Sequence, residues 1–205
     1  MPKFKLTKGE LKRQRDALRQ YQMYLPTLQL KKQQLQVEII HQLSILEEKT
    51  QSEITKRRAS QVWVGLFTDI EADLKPMIKP KAIIASVKNI AGVDLSVFER
   101  AEFESVEYDL FIIPLWVDFA IEELRKLVSL RHEIKALEKG IEVLRHELRI
   151  TTQRVNLFEK IKIPEASEAI RVIKIYLGDQ MTNAVGRCKI AKRKIEMLEL
   201  IGVAA

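Results

Sequence analysis

The stretch RVNLFEKIKIPEASEAI, residues 154–170, decides how this chain is built. It lies in a run that otherwise reads as unbroken helix, yet it carries an Ile163-Pro164 step. A proline in a helix interior removes a backbone donor and crowds the carbonyl four residues back, at a cost of about 3 kcal/mol. Either the helix stops at Ile163, or its surroundings hold it through a kink. The first outcome gives an ordinary bundle and the second a long two-stranded shaft.

The residues upstream favour the shaft. Leu127, Leu130, Ile134, Leu137, Ile141, Leu144, Leu148, Thr151, Val155 and Phe158 recur at alternating spacings of three and four. That is a heptad seam with one polar position, Thr151. Charged residues such as Arg131, Glu133, Lys135, Glu138 and Lys139 stand between the seam positions. A helix of this kind cannot bury its stripe alone and needs a partner. The pattern returns at Ala184, Cys188, Ala191, Ile195 and Leu198, where smaller side chains predict a close helix approach. On that seam Cys188 reads as a buried packing residue rather than a nucleophile.

The N-terminal segment supplies the partner. Leu11, Leu18, Leu25, Ile39 and Leu46 fall at multiples of seven, supported by Tyr21, Leu28 and Leu35. Gln14, Lys32 and Gln42 interrupt this seam with polar groups that can set register. Pro26 predicts a local bend.

Residues 62–114 have a different texture, with one of the two tryptophans and three of the six prolines. There IIASVKNIAGVDLSVFERAEFE, residues 83–104, places Ala91-Gly92 between β-branched runs, which predicts a β-hairpin. A lone hairpin is marginal, so it must lean on the helices or on another protein. The expected fold is therefore mainly α. A long antiparallel two-helix coiled coil forms from residues 1–61 and 115–205, with a small central head, 62–114, holding a short β-hairpin. Helices of about fifty to eighty residues would span about 75–120 Å, a length suited to a spacer or an axle.

Composition agrees. Of the 205 residues, 46% are hydrophobic and 31% charged, with only 7 glycines, which is the make-up of long helices. No secretory leader is read at Met1–Lys5, and the apolar run Leu110–Val117, broken by Pro114, is too short to cross a membrane. The single cysteine excludes an internal disulfide and fits a cytoplasmic setting. The net charge is +7. Its excess crowds the two ends, at Lys8, Lys12, Arg13, Arg15 and Arg19 and at Arg187, Lys189, Lys192, Arg193 and Lys194. In an antiparallel pair these clusters meet at one end. They read either as a solubilising face or as a contact with acidic surroundings. Nucleic acid is disfavoured, because no aromatic residues interleave with them.

No catalytic motif is present: there is no phosphate-binding loop, dinucleotide fingerprint, nucleophile elbow or zinc-binding His-Glu-x-x-His. His41, His132 and His146 are too scattered for a metal site and read as exposed helical residues, and Glu122-Glu123 read as a solvated face. No cofactor is expected.

RVNLFEKIKIPEASEAIRVIK resembles the signature of the D subunit of the V-type and archaeal A-type ATPases, through Arg154, Val155, Asn156, Glu159, Ile163 and Pro164. The opening segment LTKGELKRQRDALRQYQMYLPTLQLKKQQL, the head stretch VKNIAGVDL and the basic GRCKIAKRKIE are similar to that family in the same order. Gln153, Pro26 and residues 177–186 depart from its pattern. The resemblance implies a non-catalytic rotor shaft threaded through a hexamer of catalytic A and non-catalytic B subunits. Its head would join the F subunit and, through a stalk adaptor, the membrane rotor, which makes the chain cytoplasmic and peripheral to the membrane as part of the ATPase complex. It further implies that Lys8, Lys12, Arg13, Arg15, Arg187, Lys189, Lys192 and Arg193 lie inside the hexamer as rotor contacts. The rival reading is a coiled-coil scaffold or chaperone-like interaction protein.

Overall fold

The computed structural model describes residues 5–66, 75–104, 114 and 116–203. Helix α1 spans Lys8–Val64, α2 Lys75–Ile78, α3 Trp116–Leu157 and α4 Ile163–Val203, with a π-helical turn, Phe158–Lys162, between the last two. Strands β1 (Pro80–Ile90) and β2 (Val93–Phe103) form one antiparallel hairpin. The fold is mainly α with a β-hairpin, as the periodicity predicts. Most of Leu110–Val117 and the opening Met1–Phe4 lie outside the described residues.

The chain falls into two compact units, Met1–Leu30 with Thr152–Ala205, and Lys31–Thr151. In the second unit, α1 from Lys31 onward and α3 run antiparallel. Lys49 Nζ sits 2.9 Å from Glu133 Oε1 across the pair. On the α3 seam Leu130, Ile134, Ile141, Leu144 and Thr151 are buried. Leu35 and Ile39 answer them from α1. The polar seam residue Gln42 is satisfied locally, its amide donating to Glu38 Oε1 at 2.7 Å.

The hairpin forms because its turn chemistry fits. Ile90 pairs with Val93 across a two-residue loop. Ala91 (φ 52°) and Gly92 (φ 75°) both take the left-handed region. That is the type I′ turn whose twist matches the strands. The Gly92 N–H donates to Asn89 Oδ1 at 3.2 Å, which caps the turn. Each strand is eleven residues long, so the hairpin is more than the short one expected. Its tip is anchored by apolar burial, with Val93 and Leu95 joining Leu35, Ile39 and Leu144 in one cluster. Its base is held by Arg125 of α3. That guanidinium donates to the carbonyls of Met77 (2.9 Å) and Glu104 (2.8 Å) and lies 5.4 Å from the centre of the Phe103 ring. The hairpin thus leans on the helices, as a two-stranded sheet must.

In the first unit, the start of α1 runs antiparallel to α4. Thr7 caps α1, its Oγ1 accepting from the Glu10 N–H at 3.3 Å, in the Thr-x-x-Glu spacing of a capping box. The stripe Leu11, Gln14, Leu18, Tyr21, Leu25 and Leu28 is half-buried throughout. The Gln14 amide donates to Glu10 Oε1 at 2.8 Å, so this polar interruption too is satisfied. Helix α1 runs on through Pro26. Opposite it Val155, Ala166, Ala169, Ile170 and Ile173 are buried, and the Tyr21 and Phe158 rings meet with centroids 5.4 Å apart.

The Ile163-Pro164 step neither ends the helix nor sits in an unbroken α-helix. The Ile163 N–H donates to the Phe158 carbonyl, five residues back. The chain thus enters Pro164 from a widened turn.

Candidate partner-contact surface

The charged end of the first unit is built by ordinary helix periodicity. Lys8, Leu11, Lys12 and Arg15, at spacings of three and four, share one face of α1. Lys174, Leu177, Gly178 and Met181 share one face of α4, and with Asp16 the two sets line a single groove. Four cations therefore border a floor of Leu11, Leu177 and Met181 with one carboxylate among them. Gly178 leaves open space there, with nothing within 4 Å of where a Cβ would stand. Lys8, Lys12, Arg15 and Lys174 are all exposed. Arg13 stands apart, its guanidinium 4.0 Å from Glu10.

The C-terminal cluster lies elsewhere on the same helix. Arg187 is six residues beyond Met181, about 9 Å further along the axis, and Lys189, Lys192 and Arg193 follow. Lys192 reaches Glu196 at 3.8 Å. The apolar residues between them are uncovered: Met181, Val185, Ile190, Ile195, Met197 and Leu198 are each 54% exposed or more. Here the expectation of a second packed seam fails. Ala184, Cys188, Ala191, Ile195 and Leu198 are all exposed, because α1 begins at Lys8, level with Met181, and no other described residue reaches them. Cys188 is an exposed free thiol and not a packing residue.

The remaining candidates are dispersed. Of the motif residues Arg154, Val155, Asn156, Glu159, Ile163 and Pro164, only Val155 is buried, and Ile163 is half-buried. Glu159 lies within the π-turn and Ile163 follows it directly. His41 and His146 are exposed, while His132, expected to be exposed, is half-buried beside the hairpin. Glu122 and Glu123 pair with Lys126 at 3.7 and 2.9 Å, and the hydrogen bond to Glu123, with the charge of both carboxylates, holds its ammonium above the ordinary lysine pKa. Among the described residues no helix is long and apolar enough to cross a membrane.

Sequence reasoning missed Lys174 as the fourth cation of the groove. Its signal was the antiparallel register, which sets α4 residues near 174–181 against the start of α1, and not local charge density.

The surface and fold are those of a coiled-coil protein whose chemistry resides in helix faces. The family model for the ATP synthase D subunit matches residues 10–193. The chain is 44% identical to the V-type ATP synthase D subunit of Borreliella burgdorferi over 195 residues, covering 95% of this chain and 96% of that one. It is 35% identical to the protein of that name from Chlamydia muridarum over 198 residues, with 94% and 96% covered. The corresponding figures for Chlamydia trachomatis serovar L2 are 32% over 194 residues, with 94% and 96% covered. This chain belongs to the family of ATP synthase D subunits.

Proposed function

We propose that this chain is the non-catalytic central-stalk rotor subunit of a V-type ion-translocating ATPase. It couples ATP hydrolysis or synthesis in a hexamer of A and B subunits to rotation of the membrane rotor and ion transport. Residues 62–114 are the head that joins the F subunit and, through a stalk adaptor, the membrane rotor, while 1–61 and 115–205 form the shaft. The complex sits at the membrane from the cytoplasmic side, and the chain itself does not enter the bilayer. The observation that carries this reading is the full-length likeness to proteins named as the D subunit of V-type ATP synthase. The uncovered apolar and basic face of α4 beyond Met181 supports it, since an isolated protein seldom leaves such a face bare.

Mechanically, an asymmetric shaft presents different faces to three similar catalytic interfaces and biases each toward a different conformation. Lys8, Lys12, Arg13, Arg15, Arg187, Lys189, Lys192 and Arg193 then meet acidic surfaces of the hexamer, an attraction long-ranged enough to persist as the shaft turns.

Affinity capture of the tagged chain from detergent-solubilised native membranes tests the proposal. Recovery of two large ATPase subunits in threefold excess over the chain supports it, and recovery of the chain alone, or with itself as a dimer, refutes it. Replacing the eight cations by Gln should weaken assembly or turnover in the captured complex; unchanged assembly and turnover would remove their role.

A further inference from the structure

We propose that the recess between the hairpin and α3 is a docking site for a short acidic segment of another protein, one that carries two carboxylates beside an apolar side chain. The inference rests on the reading of this chain as a subunit of an assembly, and adds where one partner seats and by what chemistry. Helix and strand periods build the site. His132, Lys135 and Lys139 follow at spacings of three and four and share one face of α3, with Val143 four residues further on. Ile83, Ala85 and Val87 alternate onto one face of β1. Where the two lysines face the hairpin, α3 carries the small residues Ala136 and Gly140, and the gap is a recess of about 530 Å³. Nothing lies within 4 Å of where a Cβ of Gly140 would stand, so the floor is open rather than packed.

Two features select the occupant. The walls are apolar and uncovered: Ile83 is 49% exposed, Val143 44% and the adjoining Val87 72%. The rim is cationic without a countercharge. Lys49 and Lys126 are neutralised by Glu133 and by Glu122 and Glu123, but Lys135 and Lys139 are exposed and form no ion pair among the described residues. The one carboxylate lining the recess, Asp94, already accepts from the Asn89 amide. The recess on the other side of the hairpin makes the contrast. There Glu38 and Glu133 stand with Lys88 and His41, and charges of both signs exert no such preference. A segment with carboxylates about one helical turn apart reaches both lysines while its apolar residue covers Ile83 and Val143. Nucleic acid would meet the lysines and leave the apolar wall in water. A second copy docked recess to recess would oppose like charges.

Site-specific photocrosslinking in the complex captured with the tagged full chain tests it. The photoreactive residue p-benzoylphenylalanine replaces Val143, at the edge of the recess, or, as a control, Arg145, exposed and outside it. Irradiation should link position 143, and not 145, to a segment of another protein whose sequence, read by mass spectrometry, is net negative. Lys135→Glu with Lys139→Glu should lower that yield about tenfold or more, while Lys135→Arg with Lys139→Arg should preserve it, each variant keeping the helix dichroism of the unaltered chain. The proposal is overturned if position 143 links to no other protein, to a segment without net negative charge, to a second copy or to nucleic acid, or if the charge reversal leaves the yield unchanged. Recovery of the ATPase subunits without a link at 143 overturns this inference alone, whereas recovery of the chain by itself overturns the assembly reading with it.

Discussion

Leu144→Ala is the sharpest probe of how the hairpin is held. Leu144 is fully buried and touches the cluster of Leu35, Ile39, Val93 and Leu95, so it joins both long helices to the hairpin tip. Truncation removes three carbons, about 2.5 kcal/mol at roughly 0.8 kcal/mol per methylene. The space left between two helices and a sheet cannot fully collapse, and the cavity raises the loss to about 3–4 kcal/mol. Val143 is the built-in control: one residue away on α3 and 44% exposed, it should cost about 0.5 kcal/mol or less as alanine. Urea unfolding followed by helix dichroism measures the global loss. Limited trypsinolysis at Lys88 and Arg100, both exposed on the hairpin, measures its local opening. Under native conditions cleavage should rise by roughly 150- to 900-fold in Leu144→Ala and hardly at all in Val143→Ala. A Leu144→Ala loss below about 1 kcal/mol, or equal cleavage in the two variants, would mean that the tip is not anchored by this cluster.

Other expectations follow from single contacts. Gly92→Val should destabilise the hairpin by about 1–2 kcal/mol in denaturant melts, because a β-branched residue is strained at φ 75°. Space is not the obstacle, since the nearest atom to a Cβ there is Lys31 Nζ at 3.7 Å. Arg125→Met keeps the aliphatic stem but loses two bonds to carbonyls, and should speed hydrogen exchange at the hairpin base by an amount worth about 1–3 kcal/mol. A double-mutant cycle on Lys49 and Glu133 should give about 1 kcal/mol or less of coupling, because both ends reach solvent. Glu168 accepts two hydrogen bonds from Arg171, at 2.7 and 2.8 Å, which holds its carboxyl below the ordinary range. A carboxylate whose folded pKa is depressed stabilises the fold above the unfolded pKa, near 4.5, and loses that as pH falls through the folded value. Wild type should therefore lose a small advantage over Glu168→Gln on acidification below about pH 4.5, seen as converging melting temperatures; divergence on acidification would contradict the assignment.

Much of this fold was legible because its periodicities are redundant. A seam from Leu127 to Phe158 announces a helix and its buried face at the same time, and ten positions tolerate one polar member such as Thr151. The hairpin was legible from two residues, since Ala91-Gly92 between β-branched runs leaves few other turns. The π-turn was not legible. Pro164 signals that something gives way, but no local residue announces the widened turn from Phe158 to Lys162, which lies where Phe158 meets Tyr21 of a distant segment. Lys174 went unnoticed for the same reason. Its neighbours in sequence, Ile173 and Ile175, say nothing of the cations Lys8, Lys12 and Arg15 that the antiparallel register sets beside it.

The failed expectation at Cys188 is the most informative one. Ala184, Cys188, Ala191, Ile195 and Leu198 have the spacing of a packed seam, yet among the described residues nothing packs on them. Hydrophobic periodicity reports which face of a helix gains from burial, and it is indifferent to whether the covering atoms belong to the same chain. Where pattern and burial agree, as at Leu144 and Ile173, the chain is its own partner. Where they part, as from Met181 to Leu198, the pattern describes a contact that the single chain does not make. The five cations interleaved with that stripe disfavour a second copy, since pairing two such helices would bring like charges together. An acidic, partly apolar surface on a different protein would satisfy both features at once, as the proposed place of this chain in a multisubunit ATPase requires.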